Sequence, residues 1–217
     1  MRLLLYIALF TAQVSASNLD WSAKELEPLT TFFTKENIPE SQWPNLVYVQ
    51  KSDLPAMQKS ILTQPLLTTA IADYYQRTPK IRAPLHIDED LEQNQFYRAI
   101  IMIVDKNGQR DNALLADTLN ESRVVELGLI SIDFNALPQT VIEGVRIGET
   151  PFGNLLLENK VQTHSINTRY FKVTCDQQLE QNLKCELGQI LYGRSNTIVR
   201  DDNNAHIAHV VEILTGA

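Results

Sequence analysis

The chain has 217 residues, a formal net charge of −7, and hydrophobic and charged contents of 44% and 21%. These values are ordinary for a globular protein and exclude a largely disordered chain. An acidic chain without a stripe of lysine and arginine repels phosphate, so we expect no nucleic-acid partner.

The first residues have the layout of a secretory signal peptide. Arg2 precedes an apolar run from Leu3 to Phe10, and the small residues Val14-Ser15-Ala16 follow. The apolar run is shorter than the roughly 20 residues that span a bilayer. We therefore expect a signal peptide over residues 1–16, a single exported domain over 17–217, and no membrane span after cleavage. An uncleaved anchor or a buried helix is the alternative.

Helical patterns precede β-strand patterns along the chain. Apolar residues have near-helical spacing over 20–39, and 52–77 predicts one or two more helices, with Ser52 or Asp53 as the first cap and Pro65 as a break or start. Residues 137–159 predict helix on both sides of a Gly-Glu-Thr-Pro break. Strand patterns cover 96–105, 124–134, 168–175, 188–200 and 205–214, with turns at Asn107-Gly108 and 200–204. This order predicts an α+β fold with a mostly antiparallel sheet.

Cys175 and Cys185 flank a polar segment that predicts a loop between strands. A disulfide there, in an oxidising compartment, would stabilise the protein by about 2–3 kcal/mol. The pair has no CxxC spacing and no clear histidine partner, so we expect no metal or redox site at it. His206 and His209 lie three apart on a predicted strand and should not share a metal either. The acidic segment 86–93 predicts a solvated loop.

Two charged residues interrupt apolar strands. Arg98 shares a strand face with Ile100 and Met102, and Glu212 shares one with Val210. A charge on an apolar face must be paired or solvated. One reading is that Arg98 and Glu212 pair with each other, or that one of them reaches the sheet edge. The other is an enclosed ligand site in which Arg98 binds a carboxylate and Glu212 accepts a proton or hydrogen bond.

Five segments stand out in chain order: LLTTAIADYY, YRAIIMIVDKNG, IGETPFG, LYGRSN and VVEIL. Taken in this order, they resemble the chorismate lyase family. The family's fold is α+β, a mostly antiparallel sheet with N-terminal helices and helical lids enclosing an internal pocket. The resemblance places Arg98 at the arginine that holds the substrate carboxylate and Glu212 at the glutamate facing the ring hydroxyl. It also makes Leu67, Thr68, Phe152 and Gly153 pocket residues.

The resemblance implies a cofactor-free elimination of pyruvate from chorismate, or from a related enol-ether acid, to give a 4-hydroxybenzoate-type acid. The catalytic residues would be Arg98 and Glu212, without a metal. The segments around Leu67 and Phe152 would form the lid. The implied partner is a small aromatic or carboxylic molecule, and the protein is expected to be a monomer, periplasmic or secreted.

The sequence also departs from the family's pattern. Phe152 replaces a leucine and could line the pocket or simply fill a core, and residues 110–123 have no clear counterpart. A signal peptide would take the protein away from cytosolic chorismate. Two other functions therefore stay open: a non-catalytic exported protein that binds a small aromatic or carboxylic ligand in the same pocket, and a partner-binding exported protein with a relict pocket.

Overall fold

The computed structural model describes residues 46–82 and 86–216. The predicted signal peptide over 1–16 and the predicted helix within 20–39 lie outside the described residues. The beginning and the last residue of the predicted domain over 17–217 also lie outside the described residues. This domain remains a prediction.

Eight strands form one antiparallel sheet. In spatial order seven of them run β1-β6-β7-β8-β5-β4-β2, and β3 also pairs with β4. The sheet is central to the fold because its long middle strands carry apolar side chains on both faces. The strands are β1 (Leu46–Val49), β2 (Lys80–Ile81), β3 (His86–Asp90), β4 (Gln95–Asp105), β5 (Ser122–Asp133), β6 (Thr163–Thr174), β7 (Ile190–Arg200) and β8 (His206–Leu214).

Six α-helices cover this sheet within the described residues. They are α1 (Ala56–Leu62), α2 (Leu67–Tyr75), α3 (Ala113–Thr118), α4 (Gln139–Ile147), α5 (Phe152–Glu158) and α6 (Gln177–Leu183). The α+β class with a mostly antiparallel sheet and enclosing helices, predicted from the sequence, is confirmed. No helix among the described residues combines the length and apolar character needed to cross a membrane.

The two faces of the sheet have different roles. On one face, Ile101, Leu127 and Val211 pack with α6 and the cysteines in a continuous core. The opposite face carries two separate apolar clusters. One joins Ile130 and Val210 to α4 and α5, and the other joins residues of β4 to α1 and α2. The gap between these two clusters is where a cavity can form.

Two connecting segments and one strand differ from their predictions. The segment between the cysteines is not a loop but contains α6, which buries Leu179 and Leu183, one helical turn apart, on a single stripe. The acidic segment after residue 85 is not a loop but begins with β3, whose backbone pairs with β4. Strand β6 begins at Thr163, five residues earlier than predicted. Its first half is largely exposed, so it lacks the apolar pattern of a buried strand.

One helix start and one turn also differ in detail. Helix α1 begins after Pro55, not at a side-chain cap from Ser52 or Asp53. The turn at Asn107-Gly108 does not close a tight hairpin, because the chain forms α3 before it enters β5. The Asn112 side chain caps this helix by accepting a hydrogen bond from the backbone N–H of Leu115 at 3.0 Å. The predicted helices on either side of the Gly-Glu-Thr-Pro break are confirmed as α4 and α5.

Candidate functional site

A cavity of about 90 Å³ lies on the face of the sheet between the two apolar clusters. The floor comes from alternate residues of the central strands, and the roof from the segments that begin α2 and α5. All six residues predicted for the site line this one cavity: Arg98, Glu212, Leu67, Thr68, Phe152 and Gly153. The structure thus brings the predicted residues together, while the roles assigned to them remain predictions.

Arg98 is a buried cation without a partner among the described residues. It is 3% exposed, and its Nε and Nη1 atoms have no hydrogen bond there. Burial lowers the pKa of the Arg98 guanidinium to about 10, so it stays charged at neutral pH. A buried charge is costly unless it is paired, which makes Arg98 the most conspicuous group in the cavity.

Glu212 is paired with Arg194 and not with Arg98. Arg194 Nε donates to Glu212 Oε2 at 2.5 Å, and the two residues face each other across β7 and β8. Arg194 Nη1 also donates to the carbonyl oxygens of Leu62, at 2.9 Å, and Gln64. Burial opposes the charge on Arg194, but the attraction and hydrogen bond of Glu212 raise the pKa of Arg194 on balance. The Arg98–Glu212 ion pair considered from sequence is therefore absent.

Glu126 is a second buried acid in the cavity. It is 3% exposed, and its Oε2 atom has no hydrogen-bond partner in the described part of the chain. Burial, and then the negative charge of Glu212, raise the pKa of the Glu126 carboxyl well above its ordinary value, although Arg194 opposes them. Burial and the neighbouring carboxylate thus favour the neutral form of this carboxyl, and a neutral carboxyl can donate a hydrogen bond.

The strand register orders the floor of the cavity into rows. Arg98, Ile130, Val210 and Asn196 form one row across β4, β5, β8 and β7. The next row is Ile100, Gly128, Glu212 and Arg194, and the third begins with Met102 and Glu126. Gly128 leaves the middle row without a side chain on β5, so the Glu126 carboxyl can lie over it. A Cβ at position 128 would be 3.1 Å from Glu126 Oε1.

The two roof segments contact each other over the cavity. A Cβ at Gly153 would lie 3.2 Å from Cδ2 of Leu66, which leaves little space between the start of α5 and the start of α2. Phe152 is 6% exposed, lines the cavity and also belongs to the apolar cluster under α4 and α5. Phe152 is therefore both a residue of the pocket wall and a residue of the core, the two positions that the sequence left open.

Sequence reasoning assigned no site role to five polar residues that line the cavity: Glu126, Asn154, Ser165, Arg194 and Asn196. Arg194 and Asn196 both stand in the quoted LYGRSN segment. The signal that identified Arg98 and Glu212, a charge within an apolar strand, is also present at Glu126 in VVELGLISIDF. In the described ranges, no group of three or more His, Cys, Asp or Glu side chains is placed to hold a metal ion.

The comparisons with known proteins give structural likenesses only. No family model and no curated protein matches the chain. PhnF from Mycobacterium smegmatis is similar at 12% identity over 71% of this chain and 65% of that chain, with a TM-score of 0.48. A GntR-family transcriptional regulator from Enterococcus faecalis V583 is 12% identical over 64% and 93%, with a TM-score of 0.40. YydK from Bacillus subtilis is 8% identical over 88% and 94%, with a TM-score of 0.45.

These findings correct the predicted membership of the chorismate lyase family, which is wrong. No family model supports it. Of the three similar structures named above, the one from Enterococcus faecalis is described as a transcriptional regulator of the GntR family. At identities of 8% to 13% and TM-scores of 0.38 to 0.48, the likenesses concern the fold and assign no activity to this chain. The segments that carried the resemblance lie in strands, in helix α2 and in the turn that leads into α5, and one fold serves proteins of different function.

Proposed function

We propose that this protein binds a small carboxylic acid in the cavity, with Arg98 as the anchor of the carboxylate. The observation that carries the proposal is a buried guanidinium whose Nε and Nη1 have no partner among the described residues. Arginine presents two parallel N–H donors that match the two oxygens of a carboxylate. An anion at this point would supply both the missing hydrogen bonds and the missing countercharge.

The charges of the cavity support a single negative charge on the ligand. Arg194 and Glu212 neutralise each other, and burial together with the Glu212 charge raises the pKa of Glu126 and so favours its neutral form. The net charge of the lining is therefore +1, and Arg98 carries it. The remaining floor is largely apolar, with Ile100, Met102 and Val210 next to the polar groups. Such a lining suits a short acid with an apolar body.

The size of the cavity limits the ligand. A cavity of roughly 150 Å³ accommodates benzene in an apolar protein core, and this one measures about 90 Å³. A short aliphatic acid fits this volume better than an aromatic one. An aromatic acid would require the roof around Phe152 to move outward.

Binding is favoured over the predicted elimination of pyruvate. Glu212 was expected to take a proton from the substrate, but its Oε2 atom already accepts the hydrogen bond of Arg194. The disulfide between Cys175 and Cys185 supports the exported location that the sequence predicts, because such bonds persist in oxidising compartments. An extracytoplasmic binding protein for a small acid agrees with both observations.

The experiment is a thermal-shift screen with matched ligands. Each carboxylic acid, for example pentanoate or benzoate, is tested beside its uncharged amide. An acid present at about 100 times its Kd should raise the Tm by about 5–10 °C, because binding to the folded state alone contributes about 2.7 kcal/mol. The amide should give no shift. Equal shifts from acids and amides, or no shift from any acid of the screen, would contradict the proposal.

A further inference from the structure

We propose that Glu126 donates a hydrogen bond to the ligand, and that the ligand is a monocarboxylic acid with a neutral oxygen function, keto or hydroxyl, remote from its carboxylate. This inference rests on the proposed function, since it concerns the same cavity. It assigns a specificity role to Glu126.

The floor places Arg98 and Glu126 at opposite ends of the cavity. Arg98 is the register partner of Ile130, and Glu126 lies four residues from Ile130 along β5. At about 3.3 Å per residue, the two positions are roughly 13 Å apart along the strands before their side chains extend. A ligand held at Arg98 by its carboxylate therefore extends over the Gly128 row toward Glu126.

The Glu126 carboxyl is directed into this gap. Its Oε1 atom is 3.1 Å from the place where a Cβ of residue 128 would lie, and residue 128 is between Glu126 and the Arg98 row. The Oε2 atom has no partner among the described residues. Both ends of the cavity thus carry a buried polar group with unmet hydrogen-bonding capacity, Arg98 at one and Glu126 at the other. Buried polar groups in native proteins are nearly always satisfied, which points to a ligand with a polar atom at each end.

The neighbouring charged groups influence whether the Glu126 carboxyl carries a proton that it can donate. Glu212 from β8, Arg194 from β7 and Arg98 from β4 are the other charged groups in the described lining, and the roof segments add no charged side chain to it. Arg194 is already bonded to Glu212 and to the carbonyls of Leu62 and Gln64. Burial, and then the Glu212 carboxylate, raise the pKa of Glu126, which favours the neutral acid, the form that can donate a hydrogen bond.

The charged groups of the lining also exclude a second carboxylate on the ligand. Arg98 neutralises one negative charge, and the described lining contains no second cation without a partner. A dicarboxylic acid would place its second charge beside the Glu126–Glu212 pair, where it is repelled. A keto or hydroxyl oxygen accepts the Glu126 hydrogen without adding charge.

The test uses 4-oxopentanoate and pentanoate, which have the same chain length and differ by one keto oxygen that can only accept hydrogen bonds. 4-Hydroxybenzoate and benzoate form a second pair. Calorimetric titration compares the wild-type protein with Glu126→Gln, which keeps a donor, and with Glu126→Met, an apolar residue of similar volume. We expect the wild type to bind the oxygenated member of a pair at least about tenfold more tightly. Glu126→Gln should retain most of this preference.

Glu126→Met should lose the preference and bind the unoxygenated acid as tightly as the wild type does. Equal binding of both members of each pair by the wild type would overturn the inference and leave the proposed function intact. A preference that survives in Glu126→Met would overturn it as well. If none of the four acids binds the wild type, the proposed function fails, and this inference fails with it.

Discussion

Arg194 donates from Nε to Oε2 of Glu212 at 2.5 Å, between register partners on β7 and β8. The same guanidinium holds the carbonyl oxygens of Leu62 and Gln64, which lead into α2. The hydrogen bonds of the Arg194 side chain therefore connect the floor of the cavity to its roof. Because Glu212 is occupied in this way, Arg98 remains available to a ligand.

Loss of Arg194 should destabilise the protein strongly. Arg194→Met leaves Glu212 without its cation and two carbonyl groups without their donor, and we expect the free energy of unfolding to fall by about 3–5 kcal/mol. Urea unfolding measures this change. The double variant Arg194→Met with Glu212→Met removes both charges and should recover a large part of the loss. A single variant that costs less than about 1 kcal/mol would show that the pair does not hold the roof.

Gly128→Ala should impair binding more than folding. The added methyl would lie 3.1 Å from Glu126 Oε1 and 3.1 Å from Ile100 Cγ1, so both side chains must shift within the cavity. We expect about a tenfold loss of affinity for the bound acid, with a stability change of about 1 kcal/mol. Gly108→Ala, in a turn away from the cavity, is the matched control. Unchanged affinity in Gly128→Ala would mean that the ligand does not cross this row.

The pH dependence of stability should reveal Glu126. Its pKa is raised in the folded state, so above the unfolded pKa of about 4.3 the folded protein holds a proton that the unfolded chain has lost. Stability contributed by this carboxyl is complete below that pH and is lost as the pH rises through the folded pKa. We therefore expect the unfolding free energy of Glu126→Gln, relative to wild type, to increase from pH 5 to pH 8.

The range from pH 5 to pH 8 also distinguishes the stability contribution of Glu126 from those of other acidic residues. The pKa values of Asp105, Asp111, Asp117 and Asp202 are lowered, chiefly by hydrogen bonds from Arg110, Thr78, Arg82 and Arg200 respectively. Their contributions are present above the ordinary aspartate pKa and are lost only as the pH falls below it. A constant difference between Glu126→Gln and wild type over pH 5 to 8 would argue against a protonated Glu126.

The disulfide should stabilise the fold without affecting the site. Cys175 and Cys185 are buried with Leu179 and Leu183 on the face of the sheet opposite the cavity. Reduction, or the double variant Cys175→Ser with Cys185→Ser, should lower the free energy of unfolding by about 2–3 kcal/mol. Ligand affinity, measured at a temperature where both forms are folded, should not change. A marked loss of affinity on reduction would indicate coupling across the sheet.

The sequence predicts which segments form strands and which charged residues belong to the site. It predicts less well which of these charged residues pair with each other. Long apolar runs such as residues 96–105 predicted strands because burial on both faces leaves a continuous pattern. Strand β6 was shortened in the prediction because its first half is exposed, and α6 was missed because only Leu179 and Leu183 mark its buried side. Alternation identified the face of Arg98 and Glu212. It could not identify the partner of Glu212, because pairing depends on which strands become neighbours.

The role of Arg98 as the anchor is tested most directly by measuring the binding of one carboxylic acid to wild type and to Arg98→Met. Removal of a buried, unpaired charge should leave the stability of the ligand-free protein unchanged or raise it, because methionine needs no hydrogen bond in the cavity. Arg123→Met, which removes a charge from an exposed position, is the control. We predict that the Tm shift caused by the acid disappears in Arg98→Met and persists in Arg123→Met. A shift of the same size in a folded Arg98→Met protein would show that the acid binds without Arg98, and Arg98 would then not be the anchor.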